Sequence, residues 1–425
     1  MRLAAAATLA VSMLAATAAQ AEGGKTVAVT AERLLDVATG KYIESPLVLI
    51  TDGRITAVGS SASMTIPAGT PTIDLPGQTL LPGLIDMHVH LDSSPLYGGY
   101  TGLRFTDSFW AVVGAANVQT TLKAGFTTVR NVGSDRYNDV GLKQAIDEGI
   151  LEGPRIVPAG YSLGSTGGHC DSTYFPPSMD QTGPAVIDGP EEGRKMVRRM
   201  HKYGAKVIKI CATGGVFSND GVGVQQLSVA EIRAITDEAH MQGLKVAAHA
   251  HGPEGIRAAI EGGVDTIEHA SLVDDAGIKA AIKAGAFFGM DIYNTDYTQS
   301  EGRKNGVRES EIEKDRAIGE AQRQNFCKAV KAGVKQIFST DAGVHPHGGN
   351  AKQFAVMVKY CATPLQAIQS ATVNAAEALG QSADVGQVAV GRWGDLIAVK
   401  GDPLADVTVL ERPTAVIKGG VEVKL

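Results

Sequence analysis

Eight apolar, strand-like runs recur between Gly83 and Gly343, and no other feature constrains the fold of this chain as strongly. They are GLIDMHVHL (83–91), FTTVRNVG (126–133), RIVPAG (155–160), AKVIKICATGG (205–215), LKVAAHAHG (244–252), DTIEHA (265–270), AFFGMDI (286–292) and KQIFSTDAG (335–343). Most are followed by a helical pattern. VAEIRAITDEAHMQG, PEGIRAAIEGG and DDAGIKAAIKAG have helix-forming composition and end in Gly, as helices commonly do. Strands alternating with helices pair in parallel. Eight such units are what a closed (β/α)8 TIM barrel requires. An open doubly wound sheet would want a Gly-rich phosphate-binding turn after its first strand, and none is present.

The two ends of the chain read differently. KTVAVTAERLLD, SPLVLITDGRITAVG and TPTIDLPGQTL are short β segments, with TDGR as a hairpin signal. GQVAVGRWGDLIAVKGDPL and PTAVIKGGVEVKL repeat that character at the C-terminus. The expected architecture is α/β. A barrel over residues 81–384 is flanked by one small β-sandwich domain that both termini build, residues 22–80 plus 385–425. The first 21 residues have the form of a removable signal peptide: Arg2, an apolar stretch from Leu3 to Ala16, and small residues at Ala19 and Ala21. That predicts export, to a periplasm or the outside, with cleavage after Ala21. The apolar stretch is too short to span a bilayer comfortably.

Charge narrows the function. The 39 basic and 45 acidic residues leave a net charge of −6 with no basic stripe, which argues against nucleic-acid binding. The four cysteines, Cys170, Cys211, Cys327 and Cys361, are widely spaced and include no CxxC pair, which excludes a zinc knuckle. Their spacing suggests no disulfide framework, and Cys211 in VIKICATGG reads as a small buried hydrophobe.

In a barrel the chemistry sits at the C-terminal ends of the strands. Those ends carry His88 and His90, Lys209, His249 and His251, His269 and Asp341. Within each His-x-His the two rings share one side of a strand. Converging neutral imidazoles suit a metal ion better than a core, where each ring nitrogen needs its own partner. Lys209 sits between two isoleucines, so burial should depress its pKa. A neutral amine there can react with carbon dioxide to form a carbamate that bridges two ions; the alternative is a buried salt bridge.

This pattern resembles the amidohydrolase superfamily. The residues that carry the likeness are the histidine pair of LLPGLIDMHVHL, Lys209 of VIKICATGG, His249 of AAHAHG, His269 of IEHAS and Asp341 of STDAG. TGGHCD (166–171), KICATGGV and AAHAHGPEGIRAAIEGGVDTIEHAS further resemble the branch of prolidase-like dipeptidases and ochratoxin-hydrolysing amidohydrolases, often labelled imidazolonepropionase-like. The likeness implies two divalent metal ions, with zinc the first expectation. His88, His90 and Asp341 would hold one, His249 and His269 the other, and N6-carboxylated Lys209 would bridge them. His251 remains an alternative to His249 as ligand and would otherwise act in catalysis, meeting substrate or donating to the oxyanion. The likeness also implies that His169, in the loop after the third strand, touches substrate or oxyanion, and that the chain assembles as a homo-oligomer. Asp341 would serve as general base.

The expected reaction is hydrolysis of an amide bond in a small peptide or N-acyl amino acid, with Xaa-Pro dipeptides and ochratoxin A among the candidates. Arg130, Arg136, Tyr161 or the backbone NH groups of TGGV (213–216) could grip a substrate carboxylate. Two other readings compete. One is a mononuclear cyclic-amide hydrolase or deaminase such as imidazolonepropionase; the other is an inactive barrel that only binds ligands. A bridging lysine separates the first from the expected binuclear enzyme, and a complete ligand set speaks against the second.

Overall fold

The computed structural model describes residues 24–425; the expected signal peptide, residues 1–21, lies outside the described residues. The described chain begins with β1 (Thr26–Asp36), β2 (Lys41–Glu44), β3 (Pro46–Thr51), β4 (Arg54–Ser60) and β5 (Thr72–Pro82). Seven strands then alternate with helices: β6 (Leu84–Val89), β7 (Phe126–Asn131), β8 (Arg155–Pro158), β9 (Val207–Cys211), β10 (Lys245–Ala250), β11 (Thr266–His269) and β12 (Phe287–Gly289). The chain ends with β13 (Leu396–Lys400), β14 (Ala415–Lys418) and β15 (Val421–Glu422). The fold is α/β.

The seven inner strands are short and almost wholly buried; every residue of β6 and β9 is inaccessible. Parallel strands covered on both faces need such continuous apolar runs. They form two parallel sheets, β6–β7–β8 and β9–β10–β11–β12. Isolated parallel bridges link the two: Leu163 to Ile210 at one edge, Phe288 to Gln336 and Val89 to Ala342 at the other. The helices between them start and stop on local signals. Ser228 and Glu231 form a reciprocal capping box on helix Val229–Met241, and Gly285 and Gly333 end their helices in the left-handed conformation.

The eighth run, 335–343, forms bridges but no regular strand. Part of its backbone pairs with the flanking strands: Met87 N–H bonds the Phe338 carbonyl, Asp341 N–H the His88 carbonyl and Ile337 N–H the Phe288 carbonyl. The pairing is interrupted where Thr340 N–H goes to the Asp86 carboxylate and Phe338 N–H to the Ser370 carbonyl, and where Asp341 takes a positive φ of 57°.

The two termini do meet. Strands β1–β5 and β13–β15 form one continuous eight-stranded sheet, with β13 pairing antiparallel to β5, where two packed layers were expected. Val29, Val48, Ile50, Leu80, Leu396 and Ile417 build an apolar cluster of its own for this sheet. β5 runs through Gly83 straight into β6, so the sheet and the inner strands are continuous in the chain.

The cysteines depart from the expectation. Cys170 pairs with Cys211 and Cys327 with Cys361, at Cα separations of 5.9 and 5.2 Å. Cys211 is therefore one half of a crosslink between the loop after β8 and the end of β9. Sequence separations of 41 and 34 hide the proximity that the strand order creates.

Candidate metal centre

The strand register gathers the predicted residues. Lys209 lies opposite Ala247, Cys211 opposite His249, and Ala250 opposite His269. A cavity of about 270 Å³ opens over these strand ends, lined by His88, His90, His169, Lys209, His249, His251, His269 and Asp341. Every residue expected to hold a metal, together with His169, therefore faces the same space.

The imidazoles are held from behind. His88 turns Nδ1 to Glu268 (3.2 Å), His90 turns Nδ1 to the Gly133 carbonyl (3.0 Å), and His269 turns Nδ1 to Asp291 (2.9 Å). His251 bonds Ser271 through Nδ1 at 2.8 Å. Such partners set tautomer and ring orientation and leave Nε2 for a ligand. Nε2 of His88 and Nε2 of His90 both point at one oxygen of Asp341, each at 3.2 Å.

That convergence tests the fit of a metal. The Gly133 carbonyl only accepts, so Nδ1 of His90 carries a proton, and the ring's Nε2 is the atom turned toward Asp341. Two ring nitrogens and a carboxylate oxygen thus meet at one point, the donor set a divalent cation takes. Nε2 of His249 is buried without a hydrogen-bond partner, the state of a ligand atom awaiting its ion. Two triads have ligand atoms mutually within 4.8 Å, His249–His251–His269 and His88–His269–Asp341, and they share His269. The donor set of neutral nitrogens and a carboxylate suits divalent ions such as zinc.

The electrostatics agree. Burial, then the neighbouring His169, His269 and His251, drive His249 well below the ordinary histidine value; burial and His269 do the same to His251. Both rings remain neutral and available as ligands. Burial pushes the Asp341 carboxyl up, but His88 and His90 outweigh it and hold the group well below the carboxylate range. Burial brings the Lys209 amine down to about 8. The ion pairs of this centre join His88, His90, His269 and Arg130 to carboxylates, and Lys209 is in none of them, so the salt-bridge alternative does not hold.

The expected carboxylate-binding groups are placed elsewhere. Arg130 is buried behind the centre, bonded to the Met87 carbonyl, Thr266 and Glu268. Arg136 is exposed and pairs with Asp107. Tyr161 packs edge-on against Tyr137. In TGGV, the Gly214 N–H is taken by the Val224 carbonyl and the Gly215 N–H by Asp220.

Sequence reasoning missed three contributors. Asp291 orients His269 and stands at the end of the seventh run, where the strand-end rule applied to the others would have found it. Asn294 donates to Asp291 and, at 3.4 Å, to Asp341. Gln322 bonds Asp291 and the His269 carbonyl. Gln322 belongs to the charged stretch 300–323, which reads as a solvated helix. Helix Glu309–Ala332 instead buries Ile312, Asp315, Ile318, Gln322 and Phe326, and three of these line the cavity. Its helical spacing was the available signal.

Paired, oriented imidazoles, an ionised carboxylate and a desolvated amine converge over parallel strand ends, a set of groups that could hold metal. The chain belongs to the amidohydrolase family, whose model matches residues 79–423. It is 32% identical to ochratoxinase of Aspergillus niger over 413 residues, 91% of this chain and 84% of that protein. Among solved structures it resembles a Xaa-Pro dipeptidase with methionine in its active site (34% identity, TM-score 0.88, 94% of this chain and 100% of that one). It also resembles a prolidase complexed with N-methylphosphonate-L-proline (32% identity, TM-score 0.85, 94% and 99%). The protein is a hydrolase of amide bonds, in the prolidase and ochratoxinase branch of the superfamily.

Proposed function

We propose that this protein is a binuclear metal-dependent amidohydrolase that cleaves linear amides of amino acids: dipeptides, including Xaa-Pro, or N-acyl amino acids, with ochratoxin A as a chemically equivalent substrate. The observation that carries the reading is the pair of ligand triads sharing His269, with the Lys209 amine in the same cavity. In this reading His88, His90 and Asp341 would hold one ion and His249 and His269 the other. His251 stands within the same triad as an alternate ligand or substrate contact. The Lys209 amine would add to carbon dioxide with loss of a proton, and the resulting carbamate would offer its oxygens to the ions. The isolated bridges between the two inner sheets support a closed (β/α)8 barrel over 81–384, beside a composite β domain of 22–80 and 385–425. The two disulfides support export, because such bonds persist in oxidising compartments.

Bound ions would acidify water and polarise the scissile carbonyl. The residues of the chain do the rest. Asp341, kept ionised by His88 and His90, takes the proton of the attacking water and hands it to the departing amine nitrogen. Asn294 holds the other Asp341 oxygen in place. Of the two contacts expected of His169, substrate rather than oxyanion is the one its hydrogen bonds support. The Ser218 hydroxyl is spent on Asp220, so it accepts from Nδ1–H of His169, and Nε2 is left as an acceptor. That suits a substrate N–H rather than an oxyanion.

The test is a panel of dipeptides, N-acyl amino acids and cyclic amides, assayed with added zinc, together with metal analysis. Two ions per chain and turnover of linear amides are expected. Lys209→Ala should drop the content to one ion and abolish turnover. Full turnover and two ions in that variant, or activity on cyclic amides alone, sinks the reading.

A further inference from the structure

His169 has no strand of its own to hold it. It lies in the loop after β8, and three contacts fix its ring. One face stacks on His249, with centroids 4.1 Å apart and planes 20° from parallel. Gly215 lies against the ring as well, and a Cβ added there would come within 2.5 Å of Cε1 and Nδ1, so only glycine leaves room. At the edge, Nδ1 bonds Ser218 Oγ at 2.9 Å, and Ser218 is oriented in turn by Asp220. The next residue along, Cys170, is crosslinked to Cys211, two residues beyond Lys209. The same crosslink reinforces a backbone ladder in which Leu163 N–H bonds the Lys209 carbonyl and Cys211 N–H bonds the Leu163 carbonyl. Cys170 is partly exposed and lines the cavity, so a small reductant can reach it.

We propose that the Cys170–Cys211 disulfide, together with Gly215 and Ser218, is the positioning device for His169, so that turnover depends on the oxidised crosslink. The inference rests on the amidohydrolase reading above and adds to it a redox requirement at one loop. Loss of the bond frees the loop from the strand end that carries Lys209, and the ring leaves its place against His249 and Gly215. A phosphine makes the test without the metal chelation of a dithiol. Phosphorus gives two electrons to the S–S bond and takes oxygen from water, and the two protons of that water pass to the two thiolates.

The experiment uses the zinc-loaded protein and the best linear amide from the panel. Cys170→Ser/Cys211→Ser should lower kcat by about 100-fold, the order expected of a group displaced by an ångström, with KM changed far less. Phosphine should do the same to wild type, reversibly on reoxidation, and leave the double variant unaffected. Cys327→Ser/Cys361→Ser should keep wild-type kcat and remain phosphine-sensitive. Should the Cys170 variant fail to fold, Gly215→Ala displaces the ring with the disulfide intact and should lower kcat alike. In a His169→Ala background neither change should cost anything more. A second readout needs no turnover: in 15N-histidine spectra assigned with His169→Ala, the Nδ1–H signal of His169 should vanish on reduction. Undiminished kcat in the folded Cys170 variant, or an equal loss in the His169→Ala background, overturns the proposal. If wild type hydrolyses no linear amide at all, it is the functional reading that has failed, and the spectra still report whether the crosslink holds the ring.

Discussion

Glu268 shows how much a buried residue can depend on one neighbour. It is inaccessible, and burial alone would raise its carboxyl, yet Arg130 and His88 reverse that and hold it below the ordinary value. A carboxyl with a depressed folded pKa adds stability that is fully present above its unfolded value, about 4.5, and is lost as pH falls toward the folded one. Arg130→Met would strand that charge, at a cost of about 3–5 kcal/mol near neutral pH. Without Arg130, burial raises the Glu268 carboxyl, so thermal melts from pH 7 to 4 should show the deficit narrowing as pH falls and the stranded group takes up a proton; a deficit that stays constant with pH counts against the pairing. Asp291 makes the parallel case for the metal centre. Asp291→Asn should weaken ion binding by about 10–100-fold, because His269 loses the anion that orients it. Competition with a chelator measures the change, and an unaltered affinity would remove His269 from the ligand set.

Among the elements, the helices carry their own boundary signals. Ser228 and Thr363 each cap a helix reciprocally with Glu231 and Gln366. Replacing either cap by Ala should cost about 1 kcal/mol without touching turnover, since each lies on a helix start away from the cavity. Denaturant titration beside a rate assay checks both halves of that statement. The strands behave differently. β9, VIKIC, is legible as a buried strand from its apolar run, and Lys209 stands out in it. The 335–343 run has the same appearance and pairs only through isolated bridges, and one interruption is the Thr340 N–H that Asp86 takes. Nothing local announces that a carboxylate more than 250 positions away will claim that group.

The whole molecule is tied together across its ends. Arg155 of β8 makes two bonds to Asp395, just before β13, and stacks on Trp393. Val416, Ile417 and Val423 are buried in or beside the terminal sheet. Ending the chain at Pro413 deletes β14 and β15 and bares the edge of β13, so the truncated protein should melt lower and aggregate. A melting scan with light scattering tests this; an unchanged melt would mean that the last strands are dispensable. Metal should act on the entire fold as well. An ion that binds only the folded state stabilises it by about 2.7 kcal/mol at 100 times its Kd. Chelation should therefore lower the melting temperature and zinc restore it, whereas an indifferent melt would argue against a resident ion.

The amino-acid order alone determined the α/β alternation, the joining of the two termini in one β domain and the residues that face the cavity, because burial and strand-end position are written in local apolar patterning; that this domain is one sheet and not two layers was not legible. His88, His90, Lys209, His249, His251, His269 and Asp341 were all legible in that way. Only the tertiary structure decided what stands behind them. Glu268, Asp291 and Gly133 as orienting partners, Arg130 as a buried counter-ion rather than a substrate clamp, and Cys170 joined to Cys211 all depend on distances between segments far apart in the chain. Hydrogen bonds and crosslinks act over a few ångströms, and no local pattern records which remote atoms the fold will bring that close.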